Sequence, residues 1–524
     1  MKLDASTLGI VWARLIALVD EASAALVRAA FSPVVRESHD FSCVITDATG
    51  ALLAQATASI PSFIATLPRT VQHVARTFEG RLGAGDVIIT NDPWLGTGHL
   101  PDINLVRPIF IANRLVGFAA SVAHATDIGG RAASVQMRDV FEEGLQIPPL
   151  HFIRGGRGVD ETLMAMIRAN VRTPDEVAGD LFAMLGGLEV IDSGVTKLLR
   201  EYGQASLKPF AEELFARSSA AMSKAIAAVP EGEYSVESVI DAVSPELRFT
   251  TCVKFSQCRC SIVFNDVPEQ LQGSSINSVR AYTQAYALYA LKCALLPELP
   301  NNDGLWRAVS LEVPQGSVLN HSFPVSGLMR HYLGHEVASS VMTALAQAVP
   351  QRATAASGSA PLWSIALTSS PVDGRSLNQL FFFNGGIGAS DQRHGDSALS
   401  WPSNVAGLPV ELMERFAPVR VISKRLRRGS GGAGIHRGGD GLEVSFEVLP
   451  WPAPVTLTFN GGRLRVPASG VLGGAPGAIG EFSINGKRVD PYSPHQIRPG
   501  DRFTVRTPGG GGFGNPCVTS SPNP

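Results

Sequence analysis

Apolar residues recur at three- and four-residue spacing along positions 6–31, at Leu8, Val11, Leu15, Leu18, Val19 and Ala22. This predicts an amphipathic helix with Ser6 as N-cap that stops at Ser32-Pro33. The period then shortens. Positions 41–46 and 51–55, joined by Asp47-Ala-Thr-Gly50, read as a β-hairpin, and 87–90 as a strand leading into a loop over 91–102. Two further strands at 103–111 and 115–123 turn at Asn113-Arg114. Helical spacing returns over 160–201, with a break near Thr173-Pro174, and over 205–228. Strands fill 234–264, and helices are predicted over 275–296 and 335–349. Within the run 249–264, Cys252, Cys258 and Cys260 share one parity and so one strand face.

From about residue 365 the texture becomes short strands between glycine clusters, such as Asn384-Gly-Gly-Ile-Gly388 and Pro508-Gly-Gly-Gly-Gly512. Neither GxxxxGK[ST] nor GxGxxG after a strand occurs, so these glycines read as tight turns rather than phosphate loops. The expected fold class is α+β, with mixed and antiparallel sheets, an N-terminal helix, central helices and a β-rich C-terminal half. The expected regions are 1–230, 231–364 and 365–516, followed by a frayed tail at 517–524.

The length of 524 residues suits roughly three or four domain-sized units. With 44 Lys+Arg against 46 Asp+Glu there is no basic excess to neutralise a phosphate backbone, which argues against nucleic-acid binding. Charged residues make up 17%, with 45% hydrophobic, which suggests a surface partly covered by other subunits. The apolar stretches are too short to span a membrane. A secretory pattern is absent and six cysteines suit a reducing compartment, so cytoplasmic residence is expected.

The sharpest chemical feature is a doubled His-x-x-Asp, His99-Leu-Pro-Asp102 and His124-Ala-Thr-Asp127. Imidazole with carboxylate is the ligand set of Zn, Mn or Fe in hydrolytic sites. A turn at Asn113-Arg114 pairs residues whose numbers sum to about 227, setting Asp102 opposite Ala125 and Ile103 opposite His124. Both motifs then meet at one end of a hairpin. The competing reading is that the histidines are satisfied polar residues and the aspartates cap turns. Asp40 and Asp92, at strand edges among apolar neighbours, are further candidates, although Asp92 in Asn-Asp-Pro also suits a turn. His331-Tyr-Leu-Gly-His335-Glu336 offers a second, weaker i,i+4 histidine pair without the HExxH order.

Taken together, Asp40-Phe-Ser-Cys43, Asn91 to Asp102, Ala123-His-Ala-Thr-Asp-Ile-Gly-Gly130, Phe141-Glu-Glu-Gly-Leu-Gln-Ile-Pro-Pro149 and Pro508 to Pro516 resemble the B subunits of the hydantoinase/oxoprolinase family. The family includes ATP-dependent hydantoinases, caprolactamase, 5-oxoprolinase and the related acetone and acetophenone carboxylases. The resemblance implies an A-type partner that binds ATP and phosphorylates the amide oxygen of a cyclic amide, and a B-type chain that carries a divalent metal and completes hydrolysis. It places Asp40, His99, Asp102 and His124 on metal-ligand positions, with Asp127 as ligand or close partner. Asp127 or Asp92 would take the proton, with Glu142 and Glu143 in reserve. It also implies a heterotetramer or larger assembly. Many members have paired histidines where this chain has His124-Ala125, and His-Ile-Pro where it has Ser59-Ile-Pro61, leaving metal identity and substrate open. A carboxylase subunit and a non-catalytic assembly subunit are the alternative readings.

Overall fold

The computed structural model of the chain describes residues 4–131, 134–243, 245–372 and 375–516; the tail expected to fray lies outside the described residues. The α-helices that precede the C-terminal half are, among the described residues, α1 (Ala5–Ala29), α2 (Pro33–Arg36), α3 (Phe63–Thr77), α4 (Glu161–Asn170), α5 (Pro174–Glu201), α6 (Lys208–Ala227), α7 (Arg280–Leu295) and α8 (His331–Ala348). Asp4, not Ser6, caps α1: its carboxylate accepts the Thr7 N–H at 2.8 Å. The break before α5 falls where Pro174 occupies the first turn, where its missing N–H costs no intrahelical hydrogen bond.

The N-terminal sheet contains β1 (Phe41–Asp47), β2 (Leu52–Gln55), β3 (Val87–Thr90), β4 (Asp102–Ile111), β5 (Arg114–His124) and β6 (Leu150–Ile153). Its order is β2-β1-β5-β4-β3-β6, antiparallel throughout. Alternation along the strands decides what each face meets. Phe41, Cys43, Ile45, Ile103 and Leu105 share a core with Leu15, Val19 and Leu188 of α1 and α5. Val44, Val106, Phe118 and Val122 face Phe63, Leu67 and Val71 of α3, together with Leu362 and Phe382 from the C-terminal half.

The β4–β5 register differs from expectation by one residue. Ala112 and Asn113, at φ 46° and 61°, form the two-residue turn, and a bulge lies between Ile109 and Phe110. Asp102 therefore pairs with His124, and Ile103 with Ala123. A slip of one residue moves a side chain to the other face, so this correction is what sets Asp102 and His124 side by side.

A second sheet, ordered β10-β9-β8-β7, joins β7 (Gly232–Ile240), β8 (Leu247–Ser256), β9 (Arg259–Asn265) and β10 (Val309–Glu312). β10 runs parallel to β9, and the other pairs are antiparallel. α8 packs on β7 and β8 and against α7. The expected single strand over 249–264 is broken by a turn at Gln257-Cys258, at φ 47° and 62°. Cys258 is accordingly exposed while Cys252 and Cys260 are buried.

The C-terminal half is a sandwich of two antiparallel sheets. One holds Trp363–Val372, Arg375–Phe383, Val455–Asn460 and His495–Ile497; the other holds Val419–Arg427, Gly441–Val448, Arg502–Arg506, Glu481–Ile484 and Lys487–Arg488. They share a core that includes Trp363, Phe381, Phe446, Phe482 and Phe503. Many of its glycines do not serve turns. They pack backbone on backbone, as in Gly432 N–H to Gly510 C=O and Gly510 N–H to Gly439 C=O, at 2.9 and 3.0 Å. A Cβ on Gly510 would lie 2.0 Å from the Ile387 carbonyl oxygen, so it is close approach that excludes any side chain.

The observed class is α+β with mixed and antiparallel sheets, as expected from the sequence. Among the described residues no helix is long and apolar enough to cross a membrane.

Candidate functional site

β1, β5 and β4 are neighbours, and each contributes one polar residue at the same end of the sheet. Phe41 pairs with Ala123, and Ala123 with Ile103, so Asp40, His124 and Asp102 stand one step beyond that row. The His124 N–H donates to the Asp40 carbonyl at 3.0 Å, and the Ala125 N–H to the Pro101 carbonyl at 2.8 Å. His39, at φ 56°, turns the chain so that Asp40 enters the row. His99 joins from the preceding loop.

In this row, ligand-capable atoms of His99, Asp102 and His124 all lie within 4.8 Å of one another. His99 Nδ1 lies 3.2 Å from the Leu328 carbonyl, an acceptor, which assigns the ring proton to Nδ1. Burial holds the His99 pKa down to about 4, helped by the Arg330 charge and opposed by Asp102, so the ring is neutral and Nε2 carries a lone pair. That lone pair faces Asp102 Oδ1 at 3.0 Å. Two electron-rich atoms at this distance repel unless a cation lies between them. His99 Nε2, Asp102 Oδ1 and His124 Nδ1 are also all buried without hydrogen-bond partners. This is the state of groups that fit a metal ion, since buried polar atoms are otherwise almost always paired.

The other Asp102 oxygen is engaged. Arg330 Nη2 donates to Oδ2 at 2.6 Å, and Arg330 Nε to the Thr97 carbonyl at 2.6 Å. Burial alone would raise the Asp102 pKa, and the charge of the Arg330 guanidinium bonded to it opposes that rise and favours the ionised group. Asp40 lines the same cavity but stands outside the tight three-residue cluster. Burial lifts its pKa to about 6, with the Asp102 charge adding to the rise and His124 and Arg330 opposing it.

The remaining candidates separate by position. Asp127 lines the cavity wall, where Oδ1 accepts from Gly129 N–H at 3.1 Å and from Arg172 Nη1 at 2.6 Å, and Oδ2 accepts the Arg172 backbone N–H. Asp92 does not line the cavity; it accepts the Trp94 N–H at 3.0 Å and pairs with Gln146 Nε2 at 3.3 Å, holding the loop. Glu142 pairs with Arg131 and Arg138. Glu143 is a buried brace: Oε2 accepts Leu100 N–H at 3.0 Å, while Oε1 accepts Ser326 Oγ–H at 2.7 Å and Gly327 N–H at 2.9 Å. It ties the loop of His99 to the segment leading to Arg330.

His331 and His335 line this cavity rather than forming a second centre. His335 Nδ1 accepts the Leu362 N–H at 3.1 Å and Nε2 lies 2.9 Å from Tyr286 Oη, while Glu336 pairs with Arg463 at 2.7 Å. Phe63, Leu362 and Phe382 supply apolar wall, and Arg131, Arg172 and Arg330 supply positive charge. Sequence reading missed Arg330, the Leu328 carbonyl and Tyr282, a cavity-lining residue whose ring lies 4.3 Å from the Arg330 guanidinium, all far along the chain from His99. Nothing local marks them.

Across residues 4–516 the chain matches the model of the Hydantoinase B/oxoprolinase family, and it belongs to that family. It is 28% identical over 551 residues to caprolactamase subunit beta of Pseudomonas jessenii, covering 98% of this chain and 91% of that one. The crystal structure of ATP-dependent caprolactamase from the same organism superposes with a TM-score of 0.88 at 26% identity, over 98% of this chain and 92% of the other. Nucleotide-free acetone carboxylase shares the fold, with a TM-score of 0.87 at 19% identity over 97% and 75%.

Proposed function

We propose that this chain is the B-type subunit of an ATP-dependent amidohydrolase, opening a cyclic amide of the lactam, hydantoin or 5-oxoproline kind after an A-type subunit has phosphorylated it. Asp40, His99, Asp102 and His124 would hold a divalent cation. The observation that carries this reading is the trio of buried, unpartnered atoms, His99 Nε2, Asp102 Oδ1 and His124 Nδ1, on three residues whose ligand-capable atoms lie within 4.8 Å of one another. Satisfied core histidines and turn-capping aspartates would not leave them so. When bound, the cation acidifies water and polarises an oxygen of the substrate.

The chain's own residues supply the rest. An unstrained amide is a poor electrophile, and phosphorylation turns its oxygen into a leaving group. Arg131 and Arg172 on the cavity wall would meet that phosphoryl group, and Phe63, Leu362 and Phe382 suit the ring methylenes. Of the two proton acceptors expected from the sequence, Asp127 is favoured because it lines the cavity and Asp92 does not. Support for a partner subunit comes from the name of the caprolactamase beta subunit.

The test is a complex of this chain with its A-type partner, given ATP and a panel of lactams and hydantoins. Ring opening coupled to ATP hydrolysis is expected, with His99→Ala losing ring opening while ATP hydrolysis persists. A His99→Ala complex that opens the ring at the normal rate contradicts the proposal. Incorporation of labelled bicarbonate would identify a carboxylase instead.

A further inference from the structure

The cavity beside His99 is also lined by a polar ladder that the candidate metal row does not use. It is built where α7 and α8 pack on one another. α7 carries Tyr282 and Tyr286, one turn apart, α8 carries His335, and all three line the cavity. Gly334 makes room for them: a Cβ there would lie 2.3 Å from Tyr282 Cε1 and 2.8 Å from Tyr286 Cδ2. The glycine within His331-Tyr-Leu-Gly-His335 is thus required by the two rings.

Hydrogen-bond direction along the ladder is fixed from one end. The Leu362 N–H donates to His335 Nδ1 at 3.1 Å, and burial keeps His335 neutral. Its one ring proton is therefore on Nε2 and goes to Tyr286 Oη at 2.9 Å. Tyr286 and Tyr282 are hydrogen-bonding neighbours, with ring centroids 5.1 Å apart. Burial pushes the Tyr282 phenol up to about 12 and Tyr286 well above its ordinary value, so each keeps its proton. One of these two protons bridges the hydroxyls. The other has no acceptor within the ladder, and Tyr282, the member away from His335, is left to present it to the cavity.

The Tyr282 ring is itself held in place. The Arg330 guanidinium, which donates to Asp102, lies 4.3 Å from the ring centroid, so the phenol and the carboxylate share one anchor. Phenylalanine at both positions would bury the same rings without the cost of burying hydroxyls. What the hydroxyls add is a single donor of fixed direction beside Asp40, His99, Asp102 and His124.

We propose that Tyr282 donates a hydrogen bond to the oxygen of the reacting amide, with Tyr286 and His335 as positioning residues that keep its proton turned to the cavity. The inference rests on the cyclic-amide reading of this site. A preorganised donor aimed at an oxygen on which charge builds during ring opening lowers the barrier without giving up its proton.

The test uses the complex with the A-type partner, on the lactam or hydantoin that the parent opens. In Tyr282→Phe, kcat for ring opening should fall by roughly 100-fold, as loss of one such donor does, with KM, melting temperature and metal content as in the parent. The carbonyl stretch of the same substrate, isotope-labelled and bound without ATP, should lie lower in the parent than in Tyr282→Phe, because a donated hydrogen bond weakens the C=O bond. A purely structural role would not move that band. Where Tyr282→Phe does not fold, Tyr286→Phe, which keeps the ring and removes the orienting hydroxyl, should lower kcat and raise the band in its place. Normal kcat in the folded variant, or an unmoved band, overturns the inference and leaves the cyclic-amide reading standing. A parent complex that opens no cyclic amide overturns both.

Discussion

Arg330 Nη2 stands 2.6 Å from one oxygen of Asp102, while the other oxygen of that carboxylate stands 3.0 Å from His99 Nε2. One buried carboxylate thus faces a fixed guanidinium on one side and an electron-rich imidazole nitrogen on the other. The guanidinium is an internal counter-charge that lets Asp102 stay ionised, leaving its second oxygen without a hydrogen-bond partner.

Removing that counter-charge should be costly. Arg330→Gln strips the charge from the pair with Asp102, a residue only 1% exposed. Leaving a buried charge unmatched costs roughly 3–5 kcal/mol. Urea denaturation of the metal-free chain should show a loss of that order, and added divalent metal should recover more melting temperature in the variant than in the parent. A variant as stable as the parent would show that Arg330 is not the counter-charge.

Gly98, at φ +90°, lies against the same arginine: a Cβ there would come within 2.8 Å of Arg330 Cδ and 2.9 Å of Val279 Cγ2. Gly98→Ala should displace Arg330 and the His99 loop together. A misplacement near 1 Å costs on the order of 100-fold in rate, so ring opening should fall by about that factor in steady-state assays of the complex. Unchanged ring opening would mean the loop has slack that the packing does not show.

Acid should weaken the fold through His335. Burial holds its pKa down to about 3, whereas the unfolded chain has about 6.5. Between these values the unfolded state binds the extra proton, so stability is fully present above about pH 6.5 and is lost as pH falls towards 3. The slope is about 1.4 kcal/mol per pH unit for one such group. His335→Gln should be less stable than the parent at pH 8, having lost the fit to Tyr286 and Leu362, yet lose less on going from pH 7 to pH 5. Parallel pH profiles of the two proteins would show that His335 titrates normally.

Much of the site was legible because strand parity is local. The turn between β4 and β5 brought the His99 and His124 motifs to one end of a hairpin, while Asp40 stood out only as a carboxylate at a strand edge among apolar neighbours. The register itself was not legible, because Ala112-Asn113 carries no Asn-Gly signal and the bulge at Ile109 is set by packing. The Leu328 carbonyl reaches His99, and Arg330 reaches Asp102, from more than 200 residues away, a tertiary relation no local pattern carries. Glycine was read as turn chemistry because Gly is permissive wherever it occurs; only the folded backbone distinguishes a turn from the close packing of Gly439 against Gly510.

Whether the Asp40, His99, Asp102 and His124 row holds a divalent cation separates a metal-dependent site from a metal-free one. Elemental analysis of the purified chain after exhaustive dialysis tests it most directly. About one divalent ion per chain is expected, reduced to near zero in His99→Ala and His124→Ala variants that remain folded. A parent chain that opens the ring with its partner while free of metal, or variants that keep a full complement of the ion, would contradict it.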